Sequence, residues 1–372
     1  MAQTAPPPAT QGAAPPAAQG AAPAPPTTPQ AAPPPAPALG RLARWRHALA
    51  TVNPPSGELD AVSRWLVITR AGVLPMTLTA GAIAGLLAVR RPGFAAGWYA
   101  VAFVGIVLAH VSNNLLNDLL DTETGLDTDQ YPRALYAPHP ILSGMISRRG
   151  LIRAAVAVNL ADVAVLIVLV AVRGWVVLAL GLAGVLLNVA YTAPPLRLKK
   201  RGLGEVDVML VWGPLMIAGT YYAAVGRIPW QVWPASIPYG LLCTAVLMGK
   251  HIDKLPWDET AGVRTLPVIL GERWARLFTV VLMVAFYVAV GACVGVGALP
   301  WPALASLGAL PLLHRANKAL RRPRPDRPPR GFPIWPLWFA AFCFTHTRRA
   351  GALLVGGLAV AAVFGLGPAW LR

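Results

Sequence analysis

The stretch PGFAAGWYAVAFVGIVLAHVSNNLLNDLLDTETGLD (92–127) has no charged residue over 92–117 and then closes on Asp118, Asp121, Glu123 and Asp127. A helix of about 20 apolar residues crosses the ~30 Å hydrocarbon core of a bilayer. The stretch therefore predicts a membrane span that ends in acids. His110, Asn114, Asp118 and Asp121 recur at i, i+4, i+8 and i+11, which puts them on one helical face. Asn113, Asn117 and Asp121 follow the adjacent row. Lipid does not solvate such a stripe, so it should face a cavity or the interior of a bundle. Gly125 is expected to end the helix.

The rest of the chain repeats the apolar pattern. Uncharged stretches run 71–89, 174–196, 208–226, 228–249, 277–313 and 350–371, and 154–172 is apolar except for Asp162. The 37 residues of 277–313 exceed one span, and Leu299-Pro300-Trp301-Pro302 should split them in two. The reading is an all-α polytopic membrane protein, a bundle of about nine transmembrane helices. The aromatic segment 331–347, with Pro333 and Pro336 and two tryptophans, reads as an interfacial helix. Of the 372 residues 56% are hydrophobic and 13% charged, where soluble domains carry about 25% charge. That excludes a soluble multidomain enzyme, a disordered scaffold and a fibre. Residues 1–40 are an uncharged Pro/Ala-rich segment expected to be a disordered tail, and 41–63 a cytoplasmic N-terminal segment ahead of the membrane domain, 64–372. The three cysteines stand singly in apolar segments and suggest neither a disulfide framework nor zinc.

The net charge of +17 is explained by topology better than by a nucleic-acid partner. With the N-terminus cytoplasmic, the inner segments hold 27 Lys and Arg and the outer ones 5. The acids run against that grain. Five of the 15 lie in 118–129 and three, Asp253, Asp258 and Glu259, in 253–259. Clustered carboxylates suit a hard divalent cation such as Mg²⁺, which commonly bridges to phosphates. The second window, KHIDKLPWDETAGVRTLPVILG (250–271), contains Pro256, which should break the helix there. In YTAPPLRLKKRG (191–202), Arg197, Lys199, Lys200 and Arg201 flank a Pro-Pro turn and can hold diphosphate or simply mark the cytoplasmic side. Arg264 is a similar candidate. Asp162, one turn from Asn159, reads either as a cavity acid or as an interhelical hydrogen-bonding group.

NDLLDTETGLD (117–127) resembles the first Asp-rich signature of the UbiA superfamily of intramembrane prenyltransferases, in the form nearest its 1,4-dihydroxy-2-naphthoate (menaquinone) branch. SGMIS (143–147), YTAPPLRLK (191–199), LGEVDVMLVWGPLMIAGTYY (203–222) and GVRTLPVILG (262–271) are similar to further segments of that superfamily. The resemblance runs from about residue 64 to the end. It implies Mg²⁺-dependent transfer of a prenyl group from a polyprenyl diphosphate to an aromatic acceptor in the bilayer, a quinone precursor of menaquinone biosynthesis. It further implies an enzyme of the inner cell membrane whose site opens to the cytoplasm. Asp118, Asp121, Asp253 and Asp258 are the catalytic candidates, Asp253 standing one residue ahead of the superfamily's position. Those four, with Asn117 and Asp127, are the metal candidates. Asn114, Asn117, Tyr191, Arg197, Lys199 and Arg264 are the substrate-binding candidates.

Two departures stand out. The superfamily's second motif is Asp-x-x-x-Asp, and the matching positions here are Lys254 and Asp258. Either Lys254 touches phosphate and Asp253 is peripheral, or a bulge at Leu255-Pro256 brings Asp253 to the metal. The second is preferred, because a lysine at a ligand position repels the ion. The second departure is Tyr136-Ala137-Pro138-His139-Pro140, which stands where the superfamily has two arginines. Another acceptor (a different quinone precursor, a porphyrin-type ring or a lipid phosphate) is the alternative within the superfamily. A secondary transporter is the alternative outside it, disfavoured because most acids cluster at helix ends.

Overall fold

The computed structural model describes residues 40–51, 53, 59–123, 137–332 and 334–371. The tail 1–39, Gly125 and Asp127 lie outside them. The described residues form helices and no strand. Helix α1 (Arg41–Thr51) and α2 (Ala61–Ile68) precede the first span. Asp60 caps α2, accepting from the Ser63 backbone N–H at 2.9 Å and from Trp45 Nε1 at 3.1 Å. The Ser63 backbone bond is the main reason its carboxyl titrates at about 2.

The spans follow: α3 (Pro75–Ala88, entered through a 3₁₀ turn at Ala71–Val73), α4 (Ala96–Glu123), α5 (Arg148–Arg173) and α6 (Trp175–Thr192). Next come α7 (Gly204–Val225), α8 (Val232–Thr260), a short α9 (Leu266–Leu270) and α10 (Glu272–Gly295). The 3₁₀ segment Trp301–Ala309 then leads into α11 (Leu310–Leu320), and α12 (Trp338–Phe364) is the last span. Helix α7 contains a π turn at Val211–Leu215 around Pro214, whose missing N–H the wider turn accommodates.

Among the described residues, eight helices are long and apolar enough to cross a membrane. The ninth expected segment, 300–313, is present but is not one α-helix. Its 3₁₀ part rises about 18 Å and α11 about 16 Å, and the two reach the ~30 Å of a bilayer core when α11 is counted to Leu320, past residue 313. Two expectations are corrected. The 331–347 segment is no separate interfacial helix: α12 runs unbroken from Trp338 through Arg348 and Arg349. Charges do not interrupt a helix as prolines do, and the Arg348 guanidinium lies over the Phe344 ring one turn back, 5.6 Å from its centroid. Nor does Pro256 break α8, which continues to Thr260. Pro256 faces outward, and Arg324 Nη1 donates to the Asp253 carbonyl at 2.9 Å beside the missing hydrogen bond.

Helix α8 is the most enclosed span and α5 the least, with 72% and 11% of their apolar windows buried. The main apolar core gathers α3, α7, α8, α10 and α12 around Tyr221, Tyr239, Phe286 and Leu354. Tyr239 Oη donates to the Met76 carbonyl at 3.0 Å, tying α8 to α3. Helix α4 lies with its polar row turned inward: His110, Asn114, Asn117, Asp118 and Asp121 are all buried. That is the outcome expected from the cost of exposing polar groups to lipid.

Candidate active site

The inward face of α4 is where charge collects. Asp118 pairs with the guanidinium of Arg70, and His139 Nε2 stands 3.6 Å from the same carboxylate oxygen. Arg70 lies between α2 and the first span in the left-handed region, φ 53°, which a residue with a Cβ adopts at a cost. Asn114 holds that segment in place, its Nδ2 donating to the Thr69 carbonyl at 3.0 Å. One helical turn beyond Asn117, Asp121 accepts from Lys199 Nζ at 2.5 Å, and the same ammonium donates to Asn117 Oδ1 at 3.1 Å. Lys199 comes from the 3₁₀ turn Leu198–Arg201 that follows the Pro194-Pro195 turn.

Tyr191, at the end of α6, is buried and within electrostatic reach of Asp121, Arg70, Glu205 and Asp207. It packs on Gly204, where a Cβ would come 3.2 Å from the ring and 3.1 Å from the Lys199 backbone. Next to Gly204, Glu205 meets His251 Nδ1 of α8 at 2.6 Å. His251, Lys254 and Asp258 share one face of α8 at i, i+3 and i+7. Lys254 Nζ and Asp258 Oδ1 are 3.9 Å apart, and both residues are buried. The Arg264 backbone N–H donates to the Lys200 carbonyl at 3.3 Å, which ties the second acidic window to the Lys199 turn.

Asp253 sits elsewhere. It is buried, but its two carboxylate oxygens accept the backbone N–H groups of Phe339, at 3.0 Å, and Ala340, at 2.8 Å. It thus caps the start of α12, and the bulge expected at Leu255-Pro256 is absent. With the helix unbroken, Asp253 points about 100° away from Lys254 around α8. The other candidates divide. Arg197, also at positive φ (45°), is half-buried, and no described residue bonds to its Nε. The Arg264 side chain is exposed. Asp127 lies outside the described residues.

A cavity of about 220 Å³ opens among α4, α5, α6 and α7. Its walls are mostly aliphatic, with Asn113, Asn159, Asp162, Asn188, Asp207 and Thr220 as polar points together with His110, the first residue of the α4 row. Asn113 Nδ2 donates to Asn188 Oδ1 at 2.7 Å across it. Asp162 is therefore a cavity acid. An apolar chamber beside a charged cluster can hold a lipid-like chain with a polar head.

Several site residues went unread in the sequence. Arg70 and His139 were legible only as a cytoplasmic arginine and as a departure at a family position. The Glu205–His251 pair had no signal, since the two residues lie in different helices and 46 positions apart. For a divalent cation the first window fits: Asn117, Asp118 and Asp121 put hard oxygen donors on one buried face. The second window does not offer a comparable set: Asp258 is its one buried carboxylate on that face, because Asp253 is turned to α12.

The sequence model of the UbiA prenyltransferase family matches residues 78–342. The chain is 26% identical over 224 residues to a 2-carboxy-1,4-naphthoquinone phytyltransferase from Synechocystis sp., covering 59% of this chain and 71% of that one. It is 29% identical over 275 residues to a 1,4-dihydroxy-2-naphthoate octaprenyltransferase from Mycobacterium tuberculosis, covering 72% and 90%. In fold it is similar to a UbiA homologue from Archaeoglobus fulgidus bound to GPP and Mg²⁺, with a TM-score of 0.52, 14% identity and coverage of 80% and 99%.

Proposed function

The chain belongs to the UbiA prenyltransferase family, and from that premise we propose that it transfers a prenyl group from a polyprenyl diphosphate to a 1,4-dihydroxy-2-naphthoate-like acceptor. That it is a prenyltransferase with several membrane-spanning helices follows from the family and the fold. The acceptor class rests on the naphthoate-named relatives. The observation that carries the site is the buried Asn117, Asp118 and Asp121 row facing Arg70 and Lys199 beside an apolar cavity.

In this reading Asn117, Asp118 and Asp121 hold a divalent cation such as Mg²⁺. That ion would supply charge neutralisation to the departing diphosphate. Lys199 and Arg70 turn part of their hydrogen bonding from carboxylate to phosphate oxygens. Arg197, with its unpartnered Nε, adds a further phosphate contact. Tyr191 packs the Lys199 turn in place. The cavity among α4, α5, α6 and α7 takes the isoprenoid chain or the acceptor ring. Its aliphatic walls keep water from the allylic carbon, so that the acceptor rather than hydroxide meets it. In this reading the site opens at the cytoplasmic face of the inner membrane, which the positive-inside count supports.

The test is product identification. Purified protein in lipid nanodiscs is given Mg²⁺, a radiolabelled polyprenyl diphosphate and a panel of naphthoate, benzoate, porphyrin-type and glycerol-phosphate acceptors. A prenylated naphthoate should dominate. Product only from a different acceptor would replace the substrate in this reading, and no product from any would remove the reading.

A further inference from the structure

We propose that Lys254 stands in for a second divalent cation: its ammonium binds the diphosphate directly, and the chain holds diphosphate with one metal ion rather than two. The inference rests on the diphosphate reading above and concerns the second acidic window.

Four observations carry it. First, α8 is continuous from Val232 to Thr260, so residues 250–260 occupy helical positions and no bulge exchanges Asp253 for Lys254. Second, Asp253 is engaged. Both its oxygens accept backbone N–H groups of α12, while Arg324 donates to its carbonyl and stacks over Trp257, 5.5 Å from the ring centroid. Turning that carboxylate inward would strand two buried donors at a helix start.

Third, the residue one turn before Asp258 on the inward face is Lys254, 4% exposed, with its Nζ 3.9 Å from Asp258 Oδ1. Mg²⁺ requires near-octahedral oxygen ligation. Here the face carries one inward carboxylate, Asp258, against the three oxygen-donor side chains of the first window, and its neighbour is an ammonium. The same ammonium is a compact point charge suited to phosphate oxygens.

Fourth, this face is turned toward the first cluster. His251, on the same face, bonds Glu205 at 2.6 Å, and Gly204 next to Glu205 packs against both Tyr191 and the backbone of Lys199. Lys199 in turn holds Asp121. In this proposal a diphosphate at Asn117, Asp118 and Asp121 meets Lys254 from the side of α8. Asp258 would hold that ammonium in position.

The test counts metal. Mn²⁺, visible by electron paramagnetic resonance, is titrated into the purified full chain with inorganic pyrophosphate. The wild type should bind one Mn²⁺ per chain. Lys254→Ala should leave that number at one and weaken pyrophosphate by about 10- to 100-fold, the effect of losing a charged hydrogen bond. Lys254→Asp should raise the count to two. Thermal unfolding checks that each variant folds, and the wild-type count decides the matter even if Lys254→Asp does not. Two ions bound by the wild type, or unchanged pyrophosphate affinity in folded Lys254→Ala, would overturn the inference alone. Failure of the wild type to bind pyrophosphate with Mn²⁺ would overturn the diphosphate reading and this inference together.

Discussion

Asp118 and Asp121 lie on one buried face of α4, each against a cation from a distant part of the chain. An unscreened carboxylate pair at this depth would repel itself, so Arg70 and Lys199 make the buried acids tolerable before any substrate arrives. Replacing Asp118 or Asp121 by Ala should lower prenyl transfer more than ~100-fold, roughly 3 kcal/mol of transition-state stabilisation. Chelation with EDTA should do the same and added Mg²⁺ reverse it. Full activity in either variant, measured at equal folded protein, would dismantle the site. Asp253 belongs to a different class. Asp253→Ala leaves two N–H groups of α12 without acceptors, so it should cost about 1–3 kcal/mol of stability. Activity per folded molecule should change little, whereas Asp258→Asn should impair turnover. A stable but inactive Asp253→Ala would return Asp253 to the chemistry.

At the scale of elements, the 3₁₀ segment Trp301–Ala309 and α12 meet backbone to backbone at Gly357. A Cβ on Gly357 would stand 2.0 Å from the Pro302 carbonyl oxygen, and that atom is backbone, which cannot swing aside. Small residues at such crossings let helix backbones meet in a membrane, where packing rather than water exclusion drives association. Gly357→Ala should therefore push the two elements apart and destabilise the bundle by about 1–3 kcal/mol, the usual cost of overpacking. Thermal unfolding in detergent reads this, and an unchanged midpoint would contradict the contact. Gly249 plays a similar part on α8. A Cβ there would reach 3.0 Å from Ala340 N, the group that Asp253 caps, so α8 can approach the start of α12 only through glycine.

For the whole molecule, the open variable is which ends face the cytoplasm. Taken as a crossing, the segment Trp301–Leu320 puts the two termini on opposite sides. Cysteines placed at Arg149 and Arg227, both exposed, test this, since Cys243, Cys293 and Cys343 are all buried. In intact cells an impermeant thiol reagent should label Arg227→Cys and spare Arg149→Cys, and the reverse pattern would invert the topology. Deleting residues 2–39 should leave insertion and turnover nearly unchanged, because the segment has neither charge nor apolar periodicity with which to anchor. Loss of turnover in the truncated protein at equal folded concentration would give the tail a role.

Membrane class, the positions of most spans and the buried polar row of α4 were readable from the chain alone. Each depends on a local constraint: apolar length against bilayer thickness, or helical period against the cost of polar groups in lipid. The resemblance added the first acidic motif and the Lys199 loop, and Lys199 does meet Asp121. What the chain alone did not decide was which residues stand opposite one another across helices. Arg70 lies 48 residues from Asp118, His251 46 from Glu205 and Phe339 86 from Asp253. Periodicity places a side chain on a face but does not say which helix that face meets. Pro256 was misread for the same reason. Pro256 sits on the exposed side of a helix held by long-range packing, with Arg324, 71 residues from Asp253, bonded to the Asp253 carbonyl beside it. Only the packed bundle put Asp253 under α12 and left Lys254 buried beside Asp258.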